Sequence, residues 1–107
     1  MRERYILLNR SRLRRISHMV NLPDEHALDC WRRAGRIASE CREWARGAIQ
    51  PGVRVREILE HIEEMIYERG AAPGFPAQSS RNHVAAHYCS APGDDLKYEE
   101  GDCVKVD

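Results

Sequence analysis

Asn82-His83-Val84-Ala85-Ala86-His87-Tyr88, followed by Gly93-Asp94-Asp95 and then by Gly101-Asp102-Cys103-Val104-Lys105-Val106-Asp107, decides how this chain reads. The first run is apolar in its middle and predicts a strand from His83 to Tyr88 with an imidazole near its end. Ala91-Pro92-Gly93-Asp94-Asp95 predicts a turn. In the last run Val104 and Val106 alternate with Cys103, Lys105 and Asp107, which predicts a second strand carrying a carboxylate twenty residues beyond His87. An imidazole and a carboxylate are side chains suited to holding a divalent metal or a polar substrate.

Upstream of this region the pattern changes to helical. Asn21-Leu22-Pro23-Asp24-Glu25 reads as a helix start, with proline near the first turn and acids at the positive end of the dipole. Ala27, Trp31, Ala34, Ala38, Cys41, Ala45 and Ala48 then recur at three-four spacing and predict one buried stripe, which Gln50-Pro51-Gly52 ends. A second helix is predicted over about 55–69. Val55, Ile58, Leu59, Ile62, Met65 and Ile66 form its apolar face, Glu57, Glu60, Glu63, Glu64 and Glu68 lie mainly on the solvated side, and Gly70 caps it. Ala71-Ala72-Pro73-Gly74-Phe75-Pro76 breaks the pattern and holds Phe75 between two prolines in extended backbone. Gln78-Ser79-Ser80 reads as polar loop or strand edge. Helix, helix, then strands is an α+β order.

A chain of 107 residues bounds this to one domain, and its zero formal net charge gives no electrostatic case for DNA or a membrane as partner. No run is long and apolar enough to cross a bilayer. The charge is uneven: Arg2, Arg4, Arg10, Arg12, Arg14 and Arg15 face one acid, Glu3, so the rest of the chain is acidic. This opening has the arginines of a targeting segment but no apolar core beyond Tyr5-Ile6-Leu7-Leu8, and no small-residue cleavage site follows. Cys30, Cys41, Cys89 and Cys103 contain no Cys-x-x-Cys pair, which argues against a zinc ribbon. They are expected to be buried, reduced thiols.

The words Ala34-Gly35-Arg36-Ile37-Ala38, Pro51-Gly52-Val53, Phe75-Pro76, Asn82 to Tyr88, Gly93-Asp94 and Gly101 to Asp107 have a shared likeness. In that order and nearly at that spacing, over roughly 20–107, the chain resembles the beginning of a methionine aminopeptidase of type 2, the archaeal and eukaryotic kind. The Ala-Ala-His-Tyr and Lys-Val-Asp words are specific; the helix words alone are weak. Two departures are Cys89-Ser90, where the family usually has Thr-Pro, and His83, where archaeal members usually have Glu.

The resemblance implies the N-terminal half of a pita-bread fold, two helices followed by antiparallel strands. It implies a cytoplasmic metalloaminopeptidase that removes the initiator methionine from nascent polypeptide N-termini, with the ribosome and a missing C-terminal half as further partners. It implies a divalent metal pair (Co, Mn, Fe or Zn) held by two Asp, one His and two Glu. The first Asp carries onto Asp107, and the other four ligands lie downstream in the family. A substrate-contacting, hydrogen-bond-donating histidine carries onto His87, and a phenylalanine lining the methionine pocket carries onto Phe75. Residues 1–18 then read as a basic N-terminal extension, either a mis-assigned start before Met19 or an arm touching ribosomal RNA. Residues 19–107 read as a truncated N-terminal portion of the aminopeptidase domain. A single carboxylate is not expected to hold two cations, so this chain alone is expected to be inactive. Its uncovered apolar face is expected to favour association.

Plainer roles stay open at this point: His87 as a hydrogen-bonded histidine at a strand end, Phe75 as core, and Asp107 as an exposed terminal residue. A non-catalytic pita-bread module binding a ribosome or protein is the alternative function. A proline-specific peptidase of the same fold is a third, which the Ala-Ala-His-Tyr word disfavours.

Overall fold

The computed structural model describes residues 22–84 and 86–107, so the expectations for residues 1–18 and for a start at Met19 lie outside the described residues. The chain divides between Trp31 and Arg32 into two compact units. What is described of the first is the opening of helix α1 (Glu25–Ala48). Asp24 caps it, its Oδ1 accepting the backbone N–H of Ala27 at 2.8 Å, while Pro23 precedes the cap. On the first turns the Cys30 thiol stands 3.8 Å from His26 Nε2.

In the second unit, residues 32–107, α1 continues to Ala48, and helix α2 spans Val55–Glu68. Pro51-Gly52 forms the turn between them: Gly52 takes φ +89, and Val53 N–H donates to the carbonyl of Gln50 at 3.1 Å. The apolar face expected of α2 is the core. Val55, Ile58, Leu59, Ile62 and Met65 are buried and Ile66 is half-buried against them. Burying each such side chain contributes about 1.5–3 kcal/mol before the entropy of ordering it is subtracted.

Gly70, at φ +75, ends α2 in a Schellman motif. Its N–H donates to the carbonyl of Tyr67 at 2.9 Å, and Ala71 N–H donates to the carbonyl of Ile66 at 3.1 Å. A Cβ at Gly70 would sit 3.1 Å from Arg33 Nη2, which itself donates to the carbonyl of Arg69. Gly70→Ala is therefore expected to cost about 1–2 kcal/mol for the left-handed backbone, with the crowding added. The readout is a lowered urea midpoint with unchanged m-value.

The stripe expected on α1 needs correction. The buried residues are Ile37, Cys41 and Ala45, with Trp44 and Ala48 half-buried against the same core. Trp31 is 65% exposed, and Ala34 and Ala38 are exposed too. The seam follows the four-residue row 37–41–45, so the isoleucine that the small-residue pattern passed over is its first anchor. The thiols also differ from expectation: Cys41 is buried, but Cys30, Cys89 and Cys103 are exposed, and all four are free.

Two short strands pair antiparallel, β1 (Ser79–Arg81) and β2 (Val104–Val106), in the register Ser79–Val106, Ser80–Lys105, Arg81–Val104. β2 alternates as its sequence predicts, with Val104 and Val106 inward and Lys105 exposed. The strand expected from His83 to Tyr88 does not form. Val84 N–H donates back to the carbonyl of Arg81 at 3.0 Å, Asn82 takes φ 53, and Ala86 and His87 take φ 40 and 66. Backbone in the left-handed region cannot pleat, and Val84 is 42% exposed. The strand instead lies just upstream, in the stretch read as polar loop or edge. Ser79 and Ser80 are 2% and 5% exposed there, and Tyr98 donates its hydroxyl to Ser79 Oγ at 2.9 Å. Among the described residues the order is helix, helix, strand, strand, an α+β order. No described helix is long and apolar enough to cross a membrane.

Candidate functional site

Gln78 joins the parts of the site. Its backbone and that of Asp107 exchange two hydrogen bonds of 2.9 Å each, which extend the β1–β2 ladder by one pair. Its side-chain Oε1 lies 2.9 Å from His87 Nδ1. The next residue, Ser79, donates its N–H to the carbonyl of Tyr88 at 3.0 Å. Two successive residues, Gln78 and the first residue of β1, thus hold the loop carrying His87 and the segment that includes Asp107.

Upstream, the proline-bounded segment is anchored to α2. Glu63, on the face expected to be solvated, is half-buried and accepts the N–H of Ala77 at 2.9 Å. This sets Phe75, 57% exposed, at the wall of an apolar groove of about 380 Å³. Ile37, Cys41, Ile62 and Val106 contribute to the same groove, and so does Asp107. The structure therefore brings Phe75 and Asp107 to one concavity. His87 is exposed, is not one of its walls, and connects to it through Gln78. His83 is exposed in the turn after β1.

Asp107 receives Lys105 Nζ on Oδ2 at 3.1 Å, with both side chains about half exposed. Among the described residues no three His, Cys, Asp or Glu side chains converge to hold a metal ion. Asp107 alone, beside an ammonium, does not make up a site for a metal pair, which needs several anionic or imidazole donors; it could serve only as one ligand among others.

A second cluster locks the hairpin. Asp102, nearly buried, accepts from Arg81 at 2.8 Å, from the Asn82 amide at 2.8 Å and from the N–H of Glu99 at 2.8 Å. The Glu99 N–H first, then the Asn82 amide, holds its carboxyl below the usual carboxylate range. Tyr88 donates its hydroxyl to Asp94, which lowers the Asp94 carboxyl and raises the Tyr88 phenol. Burial raises the Cys41 thiol, and with it any cost of forming a thiolate in the groove.

Sequence reasoning passed over Gln78, Ser79 and Tyr98. Gln78 and Ser79 gave no local signal, because what makes them important arrives from residues 87–107. The Asn82–Asp102 and Arg81–Asp102 pairs had a weak one, a carboxylate opposite an Arg-Asn word across two turns.

The model of metallopeptidase family M24 matches residues 29–107. The methionine aminopeptidase of Methanothermobacter thermautotrophicus is 41% identical over 80 residues, 75% of this chain and 27% of that protein. That of Pyrococcus horikoshii is 47% identical over 74 residues, 69% of this chain and 25% of that protein. Methionine aminopeptidase 2 of Neurospora crassa is 36% identical over 112 aligned positions, 94% of this chain and 25% of that protein. The chain thus belongs to metallopeptidase family M24, and it spans about a quarter of the length of these relatives.

Proposed function

We propose that this chain supplies the substrate-receiving portion of a methionine aminopeptidase. Phe75 and the apolar groove take the side chain of an N-terminal methionine, and His87 contacts the peptide. Asp107 is one ligand of a divalent metal pair (Co, Mn, Fe or Zn) whose remaining ligands lie outside the described residues. In this reading the substrates are nascent polypeptide N-termini in the cytoplasm, presented at or near the ribosome, and residues 19–107 are one portion of the catalytic domain. The observation that supports it most is the meeting of Phe75 and Asp107 on a single groove of about 380 Å³. That size suits a small ligand held mainly by apolar walls. The pita-bread architecture and the archaeal type follow from the same kinship and belong to this reading.

The test is release of free methionine from Met-Ala-Ser with Co(II) or Mn(II). The 107-residue polypeptide alone is expected to release none, because its described residues offer no metal pair a site. The native gene product is expected to release methionine, and Asp107→Asn to lower that rate on the order of a thousandfold. Turnover by the 107-residue polypeptide, or full activity after Asp107→Asn, overturns the reading. A native gene product that binds ribosomes and cleaves nothing favours the non-catalytic module in its place.

A further inference from the structure

The first two turns of α1 carry a pair of side chains that neither the core nor the groove uses. His26 and Cys30 are both exposed, and the Cys30 thiol is free. They stand four residues apart on the helix, so they lie one above the other on the same face. Cys30 Sγ is 3.8 Å from His26 Nε2. A sulfur and an imidazole nitrogen so spaced are set where two ligands of one tetrahedral ion belong. Zinc holds a thiolate sulfur at about 2.3 Å and an imidazole nitrogen at about 2.0–2.1 Å, which puts two such donors about 3.6 Å apart. The observed spacing is within about 0.2 Å of that. Because the helix already fixes both backbone positions, closing the chelate costs only the rotamer freedom of two side chains.

Local charge also allows it. The opening of a helix disfavours a cation by itself, but Asp24, Glu25 and Asp29 flank the pair in sequence and offset that field. The thiolate that would ligate the ion is an anion on the turn where the helix dipole favours one.

We propose that His26 and Cys30 form a two-donor site for zinc or a similar cation that prefers nitrogen and sulfur, with water in the remaining coordination positions. Binding forms one metal–sulfur and one metal–nitrogen bond and releases the thiol proton to solvent. The imidazole ligates as the neutral ring and keeps a proton on Nδ1. Magnesium and calcium, which take oxygen ligands, are excluded by the donor set. An ion held across these turns favours their helical state, because the unfolded chain does not keep the two donors together. The site uses no residue of the groove and does not rest on the peptidase reading.

The test is titration of the 107-residue chain, kept reduced by a phosphine, with Co(II) as a coloured stand-in for zinc. A thiolate-to-cobalt charge-transfer absorption is expected to saturate at one ion per chain, with one proton released per ion. Zn(II) should displace it, and excess Mg(II) should not. Cys30→Ser is expected to abolish the absorption, and His26→Ala to weaken cobalt binding on the order of a hundredfold, since one donor then acts without its partner. Cys89→Ser and Cys103→Ser, which change the other exposed thiols, and Asp107→Asn are expected to leave it unchanged. His26 and Cys30 are exposed, so both variants should keep the fold, which helical circular dichroism checks. Absence of the absorption in the unmutated chain overturns the proposal. So does an absorption that survives Cys30→Ser, and so does an affinity that His26→Ala leaves unmoved.

Discussion

Ile58→Ala is expected to leave most of the chain unfolded in water at 25 °C. Ile58 is 3% exposed, at the centre of the α2 face that also carries Val55, Leu59, Ile62 and Met65. All five belong to one buried cluster with Ile37, Cys41 and Ala45 of α1 and with Tyr98. Truncating a buried isoleucine to alanine costs about 2–5 kcal/mol, part from lost transfer energy and part from the cavity left behind. A core this small supplies roughly 3–5 kcal/mol of net stability. The loss is therefore comparable to the whole. Ile58→Val, costing about 0.5–1.5 kcal/mol, is the control that should stay folded. Helical circular dichroism followed through a urea titration separates the two. An Ile58→Ala chain melting at the unmutated midpoint would show that this cluster is not what holds the fold.

Asp102→Ala is expected to open the hairpin that holds the candidate site, and to do so before the helices are lost. The substitution leaves Arg81, whose side chain is 18% exposed, without its carboxylate. It also leaves the Asn82 amide and the Glu99 N–H without their acceptor. Leaving one partner of a nearly buried, hydrogen-bonded pair uncompensated is among the larger single-site penalties known in small domains. Because β1–β2 is the frame on which Gln78 meets Asp107, the amides of those two residues should lose hydrogen-exchange protection while α2 keeps its own.

Acid does the same thing without mutation. The Asp102 and Asp94 carboxyls are both held below their ordinary range in the folded chain. A carboxyl lowered by folding contributes stability that is complete above its unfolded value and fades as pH falls through the folded one. Hairpin protection should thus be full at neutral pH and decline below about pH 4. At the other end, the Tyr88 and Tyr98 phenols are raised, so their contribution is complete below their ordinary range and fades as alkali carries pH through the higher folded values. Protection of Gln78 and Asp107 that is flat from pH 7 to about pH 3 would contradict the role given to Asp102.

Much of the helical part is legible in the sequence. The apolar spacing that marks the buried face of helix α2, its glycine cap and the turn signal at Pro51-Gly52 are all written within three to five residues of one another. The alternation of Val104 to Asp107 is equally local, and it placed β2 correctly. The words around His87, Phe75 and Asp107 carried kinship to a family through residue identity, which needs no geometry at all.

The partner strand was legible only as one of two alternatives, polar loop or strand edge, and the shape of the site was not legible at all. Ser79 and Ser80 read as polar because nothing near them in the chain buries a hydroxyl; Tyr98 and β2, some twenty residues on, do that. His83 to Tyr88 read as a strand because its apolar middle resembles one. Among the described residues no strand pairs with it; Ala86 and His87 take left-handed backbone, and Gln78 and Ser79 are bonded to His87 and Tyr88. Periodicity and residue identity are written along the chain, so the sequence by itself determined the helices, β2 and the kinship. Which polar groups find partners across long loops depends on how those pieces dock, so only the tertiary structure decided where β1 lies, how His87 is held, and that Phe75 and Asp107 share one groove.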